Sequence, residues 1–334
     1  MLGAAAASPM AAPQDVFASL AQARGVLLAV SGGADSTALL LLAMRWRASG
    51  GAPPLFVATV DHRLRPQSAD EARAVADLCA QLGAPHATLV WRGHKPKARV
   101  QEAARAARYR LLAEEAVRCG CDVVATGHHA DDQAETILMR LTRGSGPAGL
   151  AGMAARAPVP GAPALALARP LLALHKMQLV ALCQEAGVAF VDDPGNADEA
   201  FARGRLRRLA PLLEAEGLDG AALLRLGARA RRADAALAAF AHAPRAGFVQ
   251  EGGAFRAPLA EFLALPDEIG LRILAAAIMR AAPGARIRLE RLEALHARLK
   301  GAPQRFRATL AGAAIASDGG LVTVRPAPPR RALR

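Results

Sequence analysis

"SGGADST" (31–37) directly follows the apolar run "GVLLAV" (25–30) and leads into "ALLLLAM" (38–44). An apolar run, a short glycine loop and a second apolar segment read as strand, tight turn and helix. The turn is not a Walker A loop, for no Gly-Lys-Ser/Thr closes it, and it is not the Gly-x-Gly-x-x-Gly dinucleotide fingerprint. Gly32 and Gly33 allow close backbone approach, and Ser36 and Thr37 stand at a helix N-terminus, where free N–H groups and the helix dipole attract an anion. Asp35 fits a phosphate site only if a cation such as Mg²⁺ bridges its carboxylate to phosphate oxygens. The alternative is a capped helix after a tight turn, with Asp35 as a first-turn acid. The loop by itself leaves both readings open.

The surrounding sequence supplies the frame. Apolar runs at 25–30, 55–60, 87–91 and 121–127 read as buried strands, and periodic segments at 37–47, 67–82 and 100–119 as helices. Strands alternating with helices of this length predict right-handed βαβ units and a Rossmann-like α/β fold, a parallel sheet with helices on both faces. Ligands of such sheets bind at the carboxyl ends of the strands. Residues 31–36, 61–65 and 127–132 are therefore expected along one crevice.

Beyond 143 come a glycine-rich loop, a helix near 176–186, an arginine-studded helix after "DDPGNADEA" (192–200) and a long helix over 219–242. Helices near 267–280 and 289–300 and strand-like pieces at 305–312 and 320–326 complete a smaller, mostly helical α+β domain. The expected organisation is a leader over 1–15, a catalytic domain over 16–217, a linker and substrate-binding domain over 218–325, and a tail over 326–334.

Several motifs in order carry a resemblance. "SGGADS" (31–36) resembles the SGGxDS signature of the PP-loop ATP pyrophosphatases, which cut ATP between its α- and β-phosphates. "VDHRLRPQSADEA" (60–72), "EAARAARYRLL" (102–112), "GHHADDQAETILMRLTRGSGPAGLAGM" (127–153), "RPLL" (169–172) and "DDPGNADEAFARGRLRRLAPLL" (192–213) are similar to one branch, the tRNA(Ile)-lysidine synthetases. The match is strong over 25–215 and weaker over 219–325.

The resemblance implies a PP-loop, adenine nucleotide alpha hydrolase-like fold, with ATP and Mg²⁺ as cofactors. It implies adenylation of C2 of the wobble cytidine in an isoleucine tRNA with a CAU anticodon, then attack by the amine of free L-lysine. Pyrophosphate and AMP leave, and the codon read changes from AUG to AUA. It assigns ATP binding to Ser31, Gly32, Gly33, Ala34, Asp35, Ser36, Asp61 and His62, with Mg²⁺ on Asp35. It assigns catalysis to Asp35, His128 and Asp132, because an arriving ammonium needs a carboxylate beside it before it becomes a nucleophile.

Taken singly, Asp131 or Asp132 could only cap a helix, and His128 or His129 could be packed at a strand end. Neither His-Glu-x-x-His nor paired Cys-x-x-Cys spacing occurs, so neither zinc nor an iron–sulfur cluster is expected. A tRNA thiolase of the same superfamily is the enzyme alternative. It needs reactive cysteines, and Cys119-Gly-Cys121 has the wrong spacing.

Composition fits this reading. Hydrophobic residues make up 53% and charged residues 21%, a globular balance. No apolar stretch reaches the roughly 18–20 residues of a membrane span. With scattered cysteines, that points to a reduced, cytoplasmic protein with no membrane partner. A formal net charge of +13 asks for a polyanionic partner. Arg105 and Arg108 share a helix face, and Arg203, Arg205, Arg207 and Arg208 begin a basic stripe suited to a tRNA backbone. Both sets could instead be solvated helix faces. Gly204 stands where the family usually has Asn, which removes any side-chain contact there. A homodimer is left open.

Overall fold

The computed structural model describes residues 11–93, 95–96, 98–191, 202–241, 249–251 and 253–328. The chain divides into two compact units, Met1–Met139 with Gly152–Arg225, and Arg140–Ala151 with Leu226–Arg334.

In the first unit, α1 (Pro13–Val16) leads to β1 (Val26–Ala29) and α2 (Ala34–Ala48), then β2 (Leu55–Asp61), α3 (Ser68–Gln81), β3 (His86–Val90) and α4 (Val100–Arg118). There follow β4 (Val123–Thr126), α5 (Ala130–Leu141), β5 (Arg156–Val159), β6 (Ala162–Ala168), α7 (Lys176–Glu185) and α8 (Ala202–Ala215); α6 (Pro147–Leu150), between α5 and β5 in sequence, belongs to the second unit. Helix α1 overlaps the end of the stretch expected as leader. It is ordered because Phe17 behind it is fully buried and stacks on Trp46 of α2, with ring centroids 5.0 Å apart.

The sheet order is β3-β2-β1-β4-β6-β5. All neighbours pair in parallel except the β5–β6 hairpin, which adds an antiparallel edge. Alternation along β1 explains the two layers: Val26 and Leu28 face a core with α2, α3 and α7, while Leu27 faces Tyr109 and Leu112 of α4. The chain runs outward from β1 to β3 and then returns to place β4 on the other side of β1. The reversal makes the gap between β1 and β4 the topological switch point, the ligand crevice of such sheets.

The second unit holds α9 (Gly220–Ala241) from Leu226 onward, β7 (Val249–Glu251), β8 (Ala254–Pro258), α10 (Leu259–Leu263), α11 (Asp267–Ala281), α12 (Leu289–Gly301), β9 (Phe306–Leu310), β10 (Ala313–Ser317) and β11 (Leu321–Pro326). Its strands form an antiparallel sheet ordered β7-β8-β11-β10-β9, with Ile273, Ile278, Leu295 and Leu299 of α11 and α12 packed on Phe255, Ile315, Val322 and Val324. The sheet is larger than the two strand-like pieces foresaw, since β7, β8 and β10 are short and alanine-rich or polar.

Candidate active site

The loop after β1 is closed on itself. The Ser31 N–H donates to Ser36 Oγ at 3.0 Å, and that hydroxyl donates onward to the Gly33 carbonyl at 3.0 Å. The Ser31 and Ser36 hydroxyl oxygens are 3.2 Å apart. Gly32 has φ +88°, open to glycine at no steric cost, and its carbonyl accepts the Val191 N–H at 2.9 Å. Ala34 is buried at the start of α2, with Cys183 Sγ donating to its carbonyl at 3.5 Å. The turn is thus shaped before any ligand arrives.

The end of β4 presses against it. A Cβ on Gly127 would lie 2.9 Å from both the carbonyl carbon and oxygen of Asp35 and 3.0 Å from Ser36 N. Only glycine lets the two motifs come this close. Sequence reasoning assigned Gly127 no role, for a long-range backbone approach leaves no local signature.

His129 is the hub. It is 4% exposed, and its Nε2 lies 3.4 Å from Asp35 Oδ2 and 3.4 Å from Asp132 Oδ2. Its Nδ1 lies 3.2 Å from the Asp131 N–H and 3.3 Å from Asp131 Oδ2. Burial pushes the His129 pKa down, but hydrogen bonds to Asp131 and Asp35 and the charges of Asp132 and Asp35 outweigh it and carry it to about 10. Asp132 Oδ2 also accepts the His129 backbone N–H at 3.2 Å, reciprocating the cap.

Asp131 has a structural task. Its Oδ2 accepts the Lys176 N–H at 2.8 Å, tying the start of α5 to the start of α7. Burial opposes its ionisation, yet His129 and the Lys176 N–H hold its pKa down to about 2. Asp35 Oδ1, by contrast, is buried without a hydrogen-bond partner among the described residues. A lone buried carboxylate oxygen is costly and fits a cation.

His128 is half-buried. Its Nδ1 shares a hydrogen bond with Thr126 Oγ1 at 2.8 Å, and that hydroxyl lies 3.3 Å from the Ala168 carbonyl. Burial holds the pKa of His128 down to about 4, with the charges of Arg169, Arg105 and Arg108 adding to it and Asp132 opposing. Arg169 follows β6 directly, is 9% exposed, and donates to the Ala154 carbonyl at 2.7 Å. "RPLL" was legible, but without β6 its arginine had no place at the strand ends.

Beyond β2, buried Asp61 accepts the Arg63 N–H at 2.8 Å and so fixes a turn in which Arg63 has φ +50°. His62 stands edge-on to Trp91 at 5.9 Å, and its Nδ1 has no hydrogen-bond partner among the described residues. Burial and the charges of Arg108 and Lys95 lower its pKa to about 4, against Asp61. An open depression of about 570 Å³ continues from Asp61 over Arg63, Leu64 and Arg65. Arg108 therefore acts on both His62 and His128, while the Arg105 guanidinium lies over the Tyr109 ring at 5.1 Å. Arg205 and Arg208 are exposed on α8; the side chains of Arg203 and Arg207 lie outside the described residues.

These shifts give a pH prediction. His62 and His128 fold with pKa values below the unfolded 6.5, so the unfolded chain binds more protons between about 4 and 6.5. Stability should fall as pH drops through that window, by at most roughly 3 kcal/mol per imidazole. Urea unfolding at pH 6.5 and 4.5 should show this loss in wild type and little of it in a His62→Gln/His128→Gln variant. An equal loss in both would refute the assignment. His129 acts oppositely: its contribution is complete below 6.5 and is lost as pH climbs through about 10.

Residues 9–213 match the PP-loop domain family ATP_bind_3. The tRNA(Ile)-lysidine synthase of Methylobacterium sp. (strain 4-46) is 51% identical over 321 residues, covering 93% of this chain and 91% of that protein. That of Bradyrhizobium sp. (strain BTAi1 / ATCC BAA-1182) is 48% identical, covering 95% and 94%. The chain belongs to the tRNA(Ile)-lysidine synthase family.

Members of this family are PP-loop, ATP-dependent enzymes, and the motifs that meet at the β1–β4 crevice are those that carried the resemblance. Among solved structures, the U34-tRNA thiolase NcsA from Methanococcus maripaludis, with its [4Fe-4S] cluster, superposes with a TM-score of 0.53. It has 17% identity over 65% of this chain and 77% of that one. This likeness is one of fold. In the lysidine synthase chain, burial pushes the thiols of Cys79 and Cys183 up to about 11 and that of Cys121 to about 12, and raises Cys119 as well. None is poised as a thiolate. Among the described residues no helix is long and apolar enough to cross a membrane.

Proposed function

We propose that this enzyme joins free L-lysine to C2 of the wobble cytidine of an isoleucine tRNA bearing a CAU anticodon. The reaction passes through an adenylated cytidine, releases pyrophosphate and AMP, and takes place in the cytoplasm. The observation that carries the reading is the meeting of Asp35, from the loop after β1, with Asp132, from the start of α5, beside a preformed anion cradle.

The chemistry divides among the chain's own groups. Backbone N–H groups at the start of α2, with the Ser31 and Ser36 hydroxyls, cradle the phosphates that leave as pyrophosphate. Asp35 Oδ1 is the hard, unpartnered oxygen that would hold Mg²⁺. When bound, Mg²⁺ neutralises charge building on the leaving group. Asp61 and His62 flank the nucleoside. Asp132 pairs with the incoming ammonium and is placed to take its proton, which frees the amine to attack C2 as AMP leaves. His128, with its pKa held down to about 4, stays a neutral imidazole at pH 7 and serves as a hydrogen-bonding group beside Asp132. The thiolase alternative has only a distant likeness of fold behind it, at 17% identity.

Product analysis tests the reaction class. ATP should yield AMP and pyrophosphate in a manner dependent on tRNA; ADP and phosphate as products would place the chemistry elsewhere.

For the tRNA, we propose Arg105 and Arg108 on α4 and the basic stripe at 203–232. Replacing Arg205, Arg207 and Arg208 together should weaken tRNA binding. It should also lower the slope of log affinity against log salt by about one per lost phosphate contact. ATP affinity should hold. An unchanged salt slope would make the stripe a solvated helix face.

A further inference from the structure

We propose that His129 is a positioning residue whose Nε2–H clamps Asp35 and Asp132, drawn from two separate motifs, into one nucleotide-ready pair. The inference rests on Asp35 serving the nucleotide, as proposed above. It goes beyond that reading by giving a task to the second histidine of "GHH", which the reaction itself leaves unused.

Three observations carry it. First, a single nitrogen stands 3.4 Å from a carboxylate oxygen of each acid, while the ring is 4% exposed. Two carboxylates drawn to one nitrogen repel unless a donor lies between them. Second, Nε2 bears a proton in either charge state. In the neutral ring Nδ1 accepts the Asp131 N–H, which leaves the proton on Nε2; in the imidazolium both nitrogens carry one. Third, pinning Asp35 through Oδ2 leaves Oδ1 buried and unpartnered among the described residues, so the clamp holds one oxygen and presents the other.

The same ring meets Asp131 at the start of α5 through Nδ1, accepting its N–H when neutral and facing its Oδ2 when charged, so a purely structural role must be separated from the clamp. Asn reproduces the reach of Nδ1, keeps the helix cap and loses the bridge. Gln reproduces the reach of Nε2, keeps a donor at the bridge and loses the cap. The readout is affinity for Mg²⁺ with α,β-methylene-ATP, which cannot be cleaved at the α–β bond, by titration calorimetry on the full chain.

His129→Asn should weaken binding by roughly 10–100-fold, as loss of a group orienting a cation's carboxylate does. His129→Gln should stay within about threefold of wild type, following the bridge it keeps. A capping role alone predicts the reverse order, and that result, or equal losses in both variants, overturns the proposal. Should the Asn variant fail to fold, the Gln variant decides alone: near-wild-type affinity supports the clamp and a tenfold loss overturns it. Wild-type protein that binds no analogue would instead overturn the phosphate-cradle reading, and the clamp with it.

Discussion

Asp35→Asn should reduce lysine incorporation by a factor of about 10³ or more while leaving the fold intact. The substitution is isosteric, and its amide oxygen can still accept from His129 Nε2 as Asp35 Oδ2 does. Asp35 Oδ2 lies 3.4 Å from His129 Nε2, and Oδ1 has no hydrogen-bond partner among the described residues. An amide keeps the shape and removes the charge that a cation between carboxylate and phosphate requires. The loss should fall on the adenylation step that releases pyrophosphate, which precedes attack by lysine. Asp132→Asn should abolish incorporation too, for want of a carboxylate beside the ammonium. Its amide oxygen can still accept the His129 N–H, so α5 should keep its start. Single-turnover assays with labelled lysine, beside circular dichroism spectra, would check both; wild-type-like turnover in either variant would remove that residue from the mechanism.

Gly127→Ala should be the most damaging single-atom change in the crevice. The added Cβ would meet the Asp35 carbonyl and Ser36 N at 2.9–3.0 Å, and these are backbone atoms that no rotamer change can move aside. Either β4 or the start of α2 must shift, which costs about 2–3 kcal/mol by the usual scale of overpacking. The shift would also part His129 from Asp35, so ATP affinity should fall together with stability. Urea unfolding and nucleotide titration on the same preparation would read both. A variant within about 0.5 kcal/mol of wild type and with unchanged affinity would show that the two motifs do not touch as described.

Much of this was legible because the signals were local. The strand–loop–helix expected over 25–44 is present, and four of the five parallel strands, β1 to β4, fall where their apolar runs lie. The β5–β6 hairpin was not legible: "APALALA" (162–168) has the alternation of a strand but few branched residues, and alanine is common throughout the chain. That omission hid Arg169, whose position depends on the end of β6. The two adjacent histidines show a different limit. Both were read as possible packing residues, and His128 was preferred for catalysis. The direction in which α5 starts sets which ring reaches Asp35, and it turns His129 inward to bridge the carboxylates and His128 toward Thr126. Gly127 was invisible for a similar reason: its neighbour across the crevice lies about ninety residues earlier in the chain.

The central claim is that one crevice couples ATP cleavage to lysine attachment on a tRNA. The most direct measurement incubates the enzyme with ATP, Mg²⁺, ¹⁴C-labelled lysine and an isoleucine tRNA transcript bearing CAU, with a methionine tRNA transcript as control. Label should enter the isoleucine tRNA alone, at the wobble cytidine, with one AMP formed per lysine incorporated. Label in neither tRNA, or AMP formed without lysine transfer, would contradict the account.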